Sequence, residues 1–155
     1  MRLQFSILRL IAGLALALLA VTVSPPAFAG SDSSGAVLRL EVVNLRNDHG
    51  QVGCSLFNDP TGFPRHGNVF RHVWAPIHGD RAVCEFPGIP AGTYAAAVFH
   101  DENSDGKFNT NMFGMPLEGY GFSNDAPVRF GPPSFEAASF RYEGKTASDP
   151  IHIRY

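Results

Sequence analysis

Residues 93–124, TYAAAVFHDENSDGKFNTNMFGMPLEGYGFSN, decide how this chain is read. Thr93 to Phe99 is a short apolar run entered from the breaker-rich segment Pro87-Gly88-Ile89-Pro90-Ala91-Gly92, and it predicts a buried, central strand. At Asp101 the composition turns polar. Asp101, Asn103 and Asp105 fall on alternate positions and Gly106 follows, so a short loop can curl its side-chain oxygens around one point.

Outward from this strand, the pattern is one of short alternating segments. Leu38, Leu40 and Val42 alternate with Arg39 and Glu41, which predicts a half-buried strand. Gln51 to Phe57 predicts a second, and the turn residues Asn47-Asp48-His49-Gly50 between them predict a hairpin. Further strands are expected at Val69 to Ala75, Arg81 to Phe86, Val128 to Phe130, Phe140 to Tyr142 and Ile151 to Tyr155, with one helical turn over Pro133 to Ala138. About seven or eight short strands, no amphipathic helix, no repeat and no linker predict an all-β antiparallel sandwich with one long loop.

The first residues indicate export. Arg2 and Arg9 precede the apolar run Leu10 to Val23, and Ala27-Phe28-Ala29 has the small-x-small form of a cleavage site. The division expected is a signal peptide over 1–29 and one domain over 30–155, with 30–35 a flexible leader, in the periplasm or secreted. The apolar run is short for a membrane span of about 20 residues, so no stable insertion is expected after cleavage. Cleavage removes Arg2 and Arg9 and no acid from a chain with 12 Lys and Arg against 14 Asp and Glu. The resulting acidic balance, without a basic patch, excludes nucleic acid as a partner. Cys54 and Cys84 each sit among apolar residues on one strand face, and an oxidising compartment favours a bridge between them over two buried thiols. A bridge would stabilise the fold by about 3–4 kcal/mol in the chain-entropy model.

Three pieces taken together carry a resemblance. They are Pro90-Ala91-Gly92-Thr93-Tyr94 with Val98-Phe99-His100-Asp101-Glu102-Asn103, then Asp105-Gly106-Lys107-Phe108-Asn109-Thr110-Asn111, then Gly114 to Asn124. With this spacing the chain resembles the bacterial exported proteins grouped as domain-of-unknown-function family 2141. The resemblance implies a small β-sandwich of the transthyretin or carboxypeptidase-regulatory type. It implies no established activity and brings no catalytic residues. The family commonly has Asp where this chain has Asn109, which takes one charge from the loop.

The loop admits two readings. In the first it binds calcium through the side chains of Asp101, Asn103, Asp105 and Asn109 and the backbone carbonyl of Lys107, in the order of an EF-hand loop. Met112 stands where the bidentate twelfth ligand belongs and flanking helices are missing, so a carboxylate from Glu118, or Glu102, must complete the set by a fold-back. In the second the same residues are turn formers whose side chains bond to the backbone two residues on, and no ion is required. The missing twelfth ligand weighs toward the second.

His100 beside Asp101 lacks a Ser or Cys nucleophile motif, which fits a hydrogen-bonded structural residue better than a base. His66, His72 and His78 are evenly spaced but lack an H-x-H pair. Tyr120, Phe122 and Asn124 either form a binding surface beside Trp74 or Phe113, or plug the sandwich end and hold the loop; the loop's length favours the plug. The function expected is a non-enzymatic binding or structural module of the envelope that presents residues 101–124 to a protein or glycan. The alternative is a hydrolase on a transthyretin-like scaffold, against which the terminal Ile-His-Ile-Arg-Tyr lacks the Tyr-Arg-Gly-Ser ending of the hydroxyisourate hydrolases.

Overall fold

A computed structural model describes residues 36–65, 68–144 and 150–155. The expected signal peptide, the leader through residue 35 and His66 lie outside the described residues. Two sheets face each other. The first comprises β1 (Val37–Val43), β4 (Ile77–His78), β5 (Arg81–Pro87) and β9 (Ile151–His152), in the order β4-β5-β1-β9. The second comprises β2 (Gln51–Phe57), β3 (Arg71–Ala75), β6 (Gly92–Asp101), β7 (Gly119–Phe122) and β8 (Ser139–Tyr142). Its order is β3-β2-β6, with β8 pairing the first half of β6 and β7 the second half. The all-β sandwich expected from the sequence is therefore the fold.

Period-two alternation explains the first sheet. Leu38, Leu40 and Val42 of β1 and Ala82, Cys84 and Phe86 of β5 point inward and are buried. The outer face carries a charge ladder, with Arg39 2.8 Å from Glu85 and Arg81 2.8 Å from Glu41. These exposed pairs set register more than they stabilise. In the second sheet Val52, Cys54, Leu56, Tyr94, Ala96 and Val98 complete the core.

β6 differs from the other strands because its outer face is also covered. Ala95 lies under a small second cluster with Phe122, Ala126 and Ala138, packed on by Phe63 and Phe135. The helical turn α1 (Phe135–Ala138), capped by Ser134 Oγ accepting from the Ala137 amide, supplies part of this cover. Coverage on both faces explains why residues 93–99 read as a continuous apolar run.

Four local expectations are corrected. β1 and β2 are not a hairpin: β1 pairs with β5, and β2 with β3 and β6. The Asn47–Gly50 turn instead carries the chain from one sheet to the other, and turn residues alone do not distinguish the two outcomes. Val128 to Phe130 form no strand, and Phe130 is fully exposed. Gly119 to Phe122, expected within the long loop, pair with β6 as a strand. In the terminal segment only Ile151 and His152 form a strand, and they run parallel to β1. Arg154 then exchanges two backbone hydrogen bonds with Tyr120, both 2.9 Å, so this segment ties the two sheets together at one edge.

Cys54 and Cys84 are joined in a disulfide that links β2 of one sheet to β5 of the other, with 6.4 Å between their Cα atoms and 30 residues of separation. Reduction, or a Cys54→Ala/Cys84→Ala variant, is expected to lower the unfolding free energy by about 3–4 kcal/mol. Urea titrations of oxidised and reduced protein check this, and coincident midpoints would remove the bridge from the account.

Candidate functional site

β6 ends beside the start of β2, with Asp101 opposite Gln51 in register. Asp101 is fully buried, yet its carboxylate is well supplied with donors. Oδ1 accepts the Asp105 amide at 3.0 Å; Oδ2 accepts the Gly106 amide and Gln51 Nε2, each at 3.0 Å. The Gly106 amide reaches Asp101 because this residue adopts a φ of +74°, which a side chain would strain. Asn103 Oδ1 also accepts the Asp105 amide at 3.0 Å, and Asp105 Oδ1 accepts the Lys107 amide at 2.8 Å. Asp105 Oδ2 receives Nδ2 of both Asn103, at 3.2 Å, and Asn109, at 3.0 Å. These bonds, that of Asn109 first among them, hold the Asp105 carboxyl below its usual range against the opposing effect of desolvation. The side-chain-to-backbone bonds are those of Asx turns, and the same curl underlies a calcium loop.

Beyond the turn the chain forms a projecting arm. Leu117 N donates to Asn109 O and Asn111 N to Met115 O, both at 2.9 Å, and Thr110 bridges Pro116. Asn111 closes the tip: its Oδ1 accepts the amides of Phe113 at 2.9 Å and Met115 at 3.0 Å. This pairing brings Glu118 back beside the loop, where Oε2 accepts the Asn109 amide at 2.9 Å. Phe108 seats the base of the arm, edge-on to Phe99 at 5.7 Å and to Tyr120 at 6.0 Å; Phe99 in turn meets Trp74 at 5.6 Å. The tip is apolar and open to solvent, with Met112 89%, Phe113 83%, Met115 61% and Leu117 59% exposed.

Glu118 and Glu102 lie in different settings. Glu102 is 2.7 Å from the Arg46 guanidinium and accepts from Asn47 Nδ2 at 3.2 Å. Desolvation raises its pKa, but the bonds from Asn47 and Arg46 outweigh that and the net shift is downward. Oε1 of Glu118 and Oε1 of Glu102 are both buried without a hydrogen-bond partner, but the Arg46 guanidinium stands 2.7 Å from the latter, whereas among the described residues no cation pairs with Glu118. Burial raises its pKa; the Asn109 amide opposes this, and repulsion from Asp101, Asp105 and Glu102 adds to it. Arg46, Glu102, Asn103, Asn109, Thr110, Leu117 and Glu118 line a shallow open depression of about 310 Å³. Among the described residues no three His, Cys, Asp or Glu side chains already gather around one point.

His100 is fully buried with both ring nitrogens engaged: Nε2 lies 2.8 Å from the His49 carbonyl and Nδ1 2.7 Å from Tyr155 Oη. The carbonyl requires Nε2 to donate, and the Tyr155 hydroxyl also accepts the Arg46 amide at 3.0 Å. His72 and His78 sit in different sheets, His72 bonded to Ser55 Oγ at 3.0 Å. Of the expected surface, Phe122 is buried in the second cluster, Tyr120 is half-buried against Phe108, and Asn124 is exposed with Nδ2 donating to the Ser139 carbonyl. Sequence reasoning passed over Gln51, Arg46, Asn111 and Tyr155. Only Asn111 gave a signal, since an Asn three residues before Gly114 is turn chemistry.

A two-sheet sandwich with a self-bonded arm rising from the end of its central strand defines a class of protein by shape alone. Residues 40–149 match the model of the family described as "uncharacterized protein conserved in bacteria (DUF2141)", and the chain belongs to that family. No curated protein and no solved structure matches it.

The Glu118 setting predicts a pH signature. A carboxyl whose folded pKa is raised costs nothing when protonated in both states, and its penalty grows as pH rises through the unfolded and then the folded value. Glu118→Gln keeps an acceptor for the Asn109 amide and removes that charge. In metal-free buffer it is expected to raise the melting temperature at pH 7, with the gain shrinking as pH falls through the raised folded value and vanishing below about 4.3, the unperturbed Glu value. Paired thermal melts across pH check this, and a variant less stable at pH 7 contradicts it.

Proposed function

We propose that this chain is an exported, non-catalytic module that grips a protein partner of the bacterial envelope with the tip of its arm. The observation behind the reading is the exposure of Met112, Phe113, Met115 and Leu117 on a segment whose base is bonded in place. Large apolar side chains presented together in water mark an interaction surface. A prearranged arm loses less conformational entropy on binding than a floppy one. Between Lys107 and Glu118 the arm carries no charge, so covering it desolvates none. Methionines adapt their shape to an apolar pocket.

A glycan is a weaker fit. Sugars stack on flat open ring faces, whereas Trp74, Phe99, Phe108 and Tyr120 meet one another edge-on. The hydrolase reading lacks a base at His100, whose nitrogens are both in use. Export rests on the features of residues 1–29. The Cys54–Cys84 bridge is compatible with an extracellular or periplasmic setting. Among the described residues no helix is long and apolar enough to cross a membrane.

Photo-crosslinking in intact cells tests the reading, with benzoylphenylalanine at Phe113 and, as a control on the opposite sheet, at Val83. A discrete protein adduct is expected from position 113 only, and Met112→Ser/Met115→Ser should abolish it while changing unfolding free energy by less than about 0.5 kcal/mol. No adduct at 113, equal adducts at both positions, or an adduct only with polysaccharide would overturn it.

A further inference from the structure

We infer that the loop at the end of β6 and the returning base of the arm together form a weak divalent-cation site of calcium chemistry. Its ligands are Asp101, Asn103, Asp105, the Lys107 carbonyl, Asn109 and Glu118. The observation that raises this above a cluster of acids is Glu118. It is only 6% exposed, its Oε1 has no hydrogen-bond partner among the described residues, and it lines the same depression as Asn103 and Asn109, whose one cation, Arg46, is paired with Glu102. A buried carboxylate oxygen without a donor is costly, and a cation is one of few groups that removes that cost. Glu102 cannot serve in its place, because Arg46 and Asn47 already engage it.

The remaining ligands are compatible with this assignment. A carboxylate has about four lone-pair sites. Asp101 uses three of them, leaving one on Oδ1, the atom it shares with the Asp105 amide. Asn103 and Asn109 turn their NH₂ groups onto Asp105 Oδ2, so amide donors stand where positive charge is wanted. A half-turn of the Asn109 amide exchanges nitrogen for oxygen and makes it a ligand; the same turn of Asn103 gives up its bond from the Asp105 amide, which Asp101 Oδ1 still accepts. All the ligands are oxygens and the set is flexible, which suits calcium over zinc or copper. The carboxylates of Asp101, Asp105 and Glu118 do not yet converge on one point, so side chains must rotate to enclose the ion, which places the affinity in the weak extracellular range of about 10⁻⁴–10⁻³ M. Bound there, the ion would tie Asn109 and Glu118, the two sides of the arm's base, to the sheet. The site does not depend on what the arm tip binds.

Trp74 is the sole tryptophan of the chain and its ring lies 4.0 Å from where a Gly106 Cβ would stand, so it can sensitise terbium held in the loop. The test titrates terbium into the oxidised protein while exciting tryptophan, then adds calcium. Saturable terbium emission is expected, displaced by calcium in the range above. Asp105→Asn and Glu118→Gln should each weaken terbium binding at least tenfold while keeping the near-UV circular dichroism and metal-free melting of a folded protein. Absence of saturable emission, or wild-type affinity in folded Glu118→Gln, overturns the site.

Discussion

The carboxylate of Asp101 is the fixed point of the functional end. A buried charge is tolerated only when donors surround it, and Asp101 has two backbone amides and the Gln51 side chain. Two of those donors come from residues four and five positions further on, so satisfying the charge forces the chain to curl back on itself. The curl directs Phe108 onto Phe99 and Tyr120, and the arm leaves from there. Opposite, Gly50 passes so close that a Cβ would stand 1.9 Å from the Asp101 carbonyl oxygen. The start of β2 is therefore shaped to the end of β6.

Around this point the sandwich is closed by covalent and hydrogen-bonded links between its sheets. The disulfide joins β2 to β5 through the core, and the terminal segment pairs first with β1 and then with β7. Tyr155 extends that link to the functional end, placing its hydroxyl between the His100 ring and the Arg46 amide. The rigid parts and the exposed parts are thus separated within a few residues. Glu118 is buried, and Leu117 beside it is open to solvent. A surface meant for contact needs such a base, because a tip that moved freely would lose on binding the entropy that its burial returns.

Much of the fold was legible because its signals are local. Alternation in β1 and β5 reports one buried face, and the apolar run of residues 93–99 reports a strand covered on both faces. The cysteine pair was legible from alternation and compartment together, and family membership from the spacing across residues 90–124. The partnering of strands was not legible, since Asn47–Gly50 has the same turn chemistry whether it folds a hairpin or crosses between sheets. Nor were β7 and the arm: Gly119-Tyr120-Gly121-Phe122 is too rich in glycine to read as a strand, and only pairing with β6 makes it one. In the loop, the alternating oxygens showed where backbone amides would be gathered. That Glu102 Oε1 meets a cation while Glu118 Oε1 does not depends on Arg46, a residue far away in sequence.

The central claim, that the buried Asp101 carboxylate organises the arm, is tested most directly by residue-resolved amide hydrogen exchange of the wild type and of Asp101→Ala. The account predicts slowed exchange at Asp105, Gly106 and Asn109 in the wild type, and its loss in the variant across residues 101–118 while Ala96 and Val98 of β6 stay protected. Wild-type amides at 105, 106 and 109 exchanging at unfolded-chain rates beside a protected β6 would contradict it.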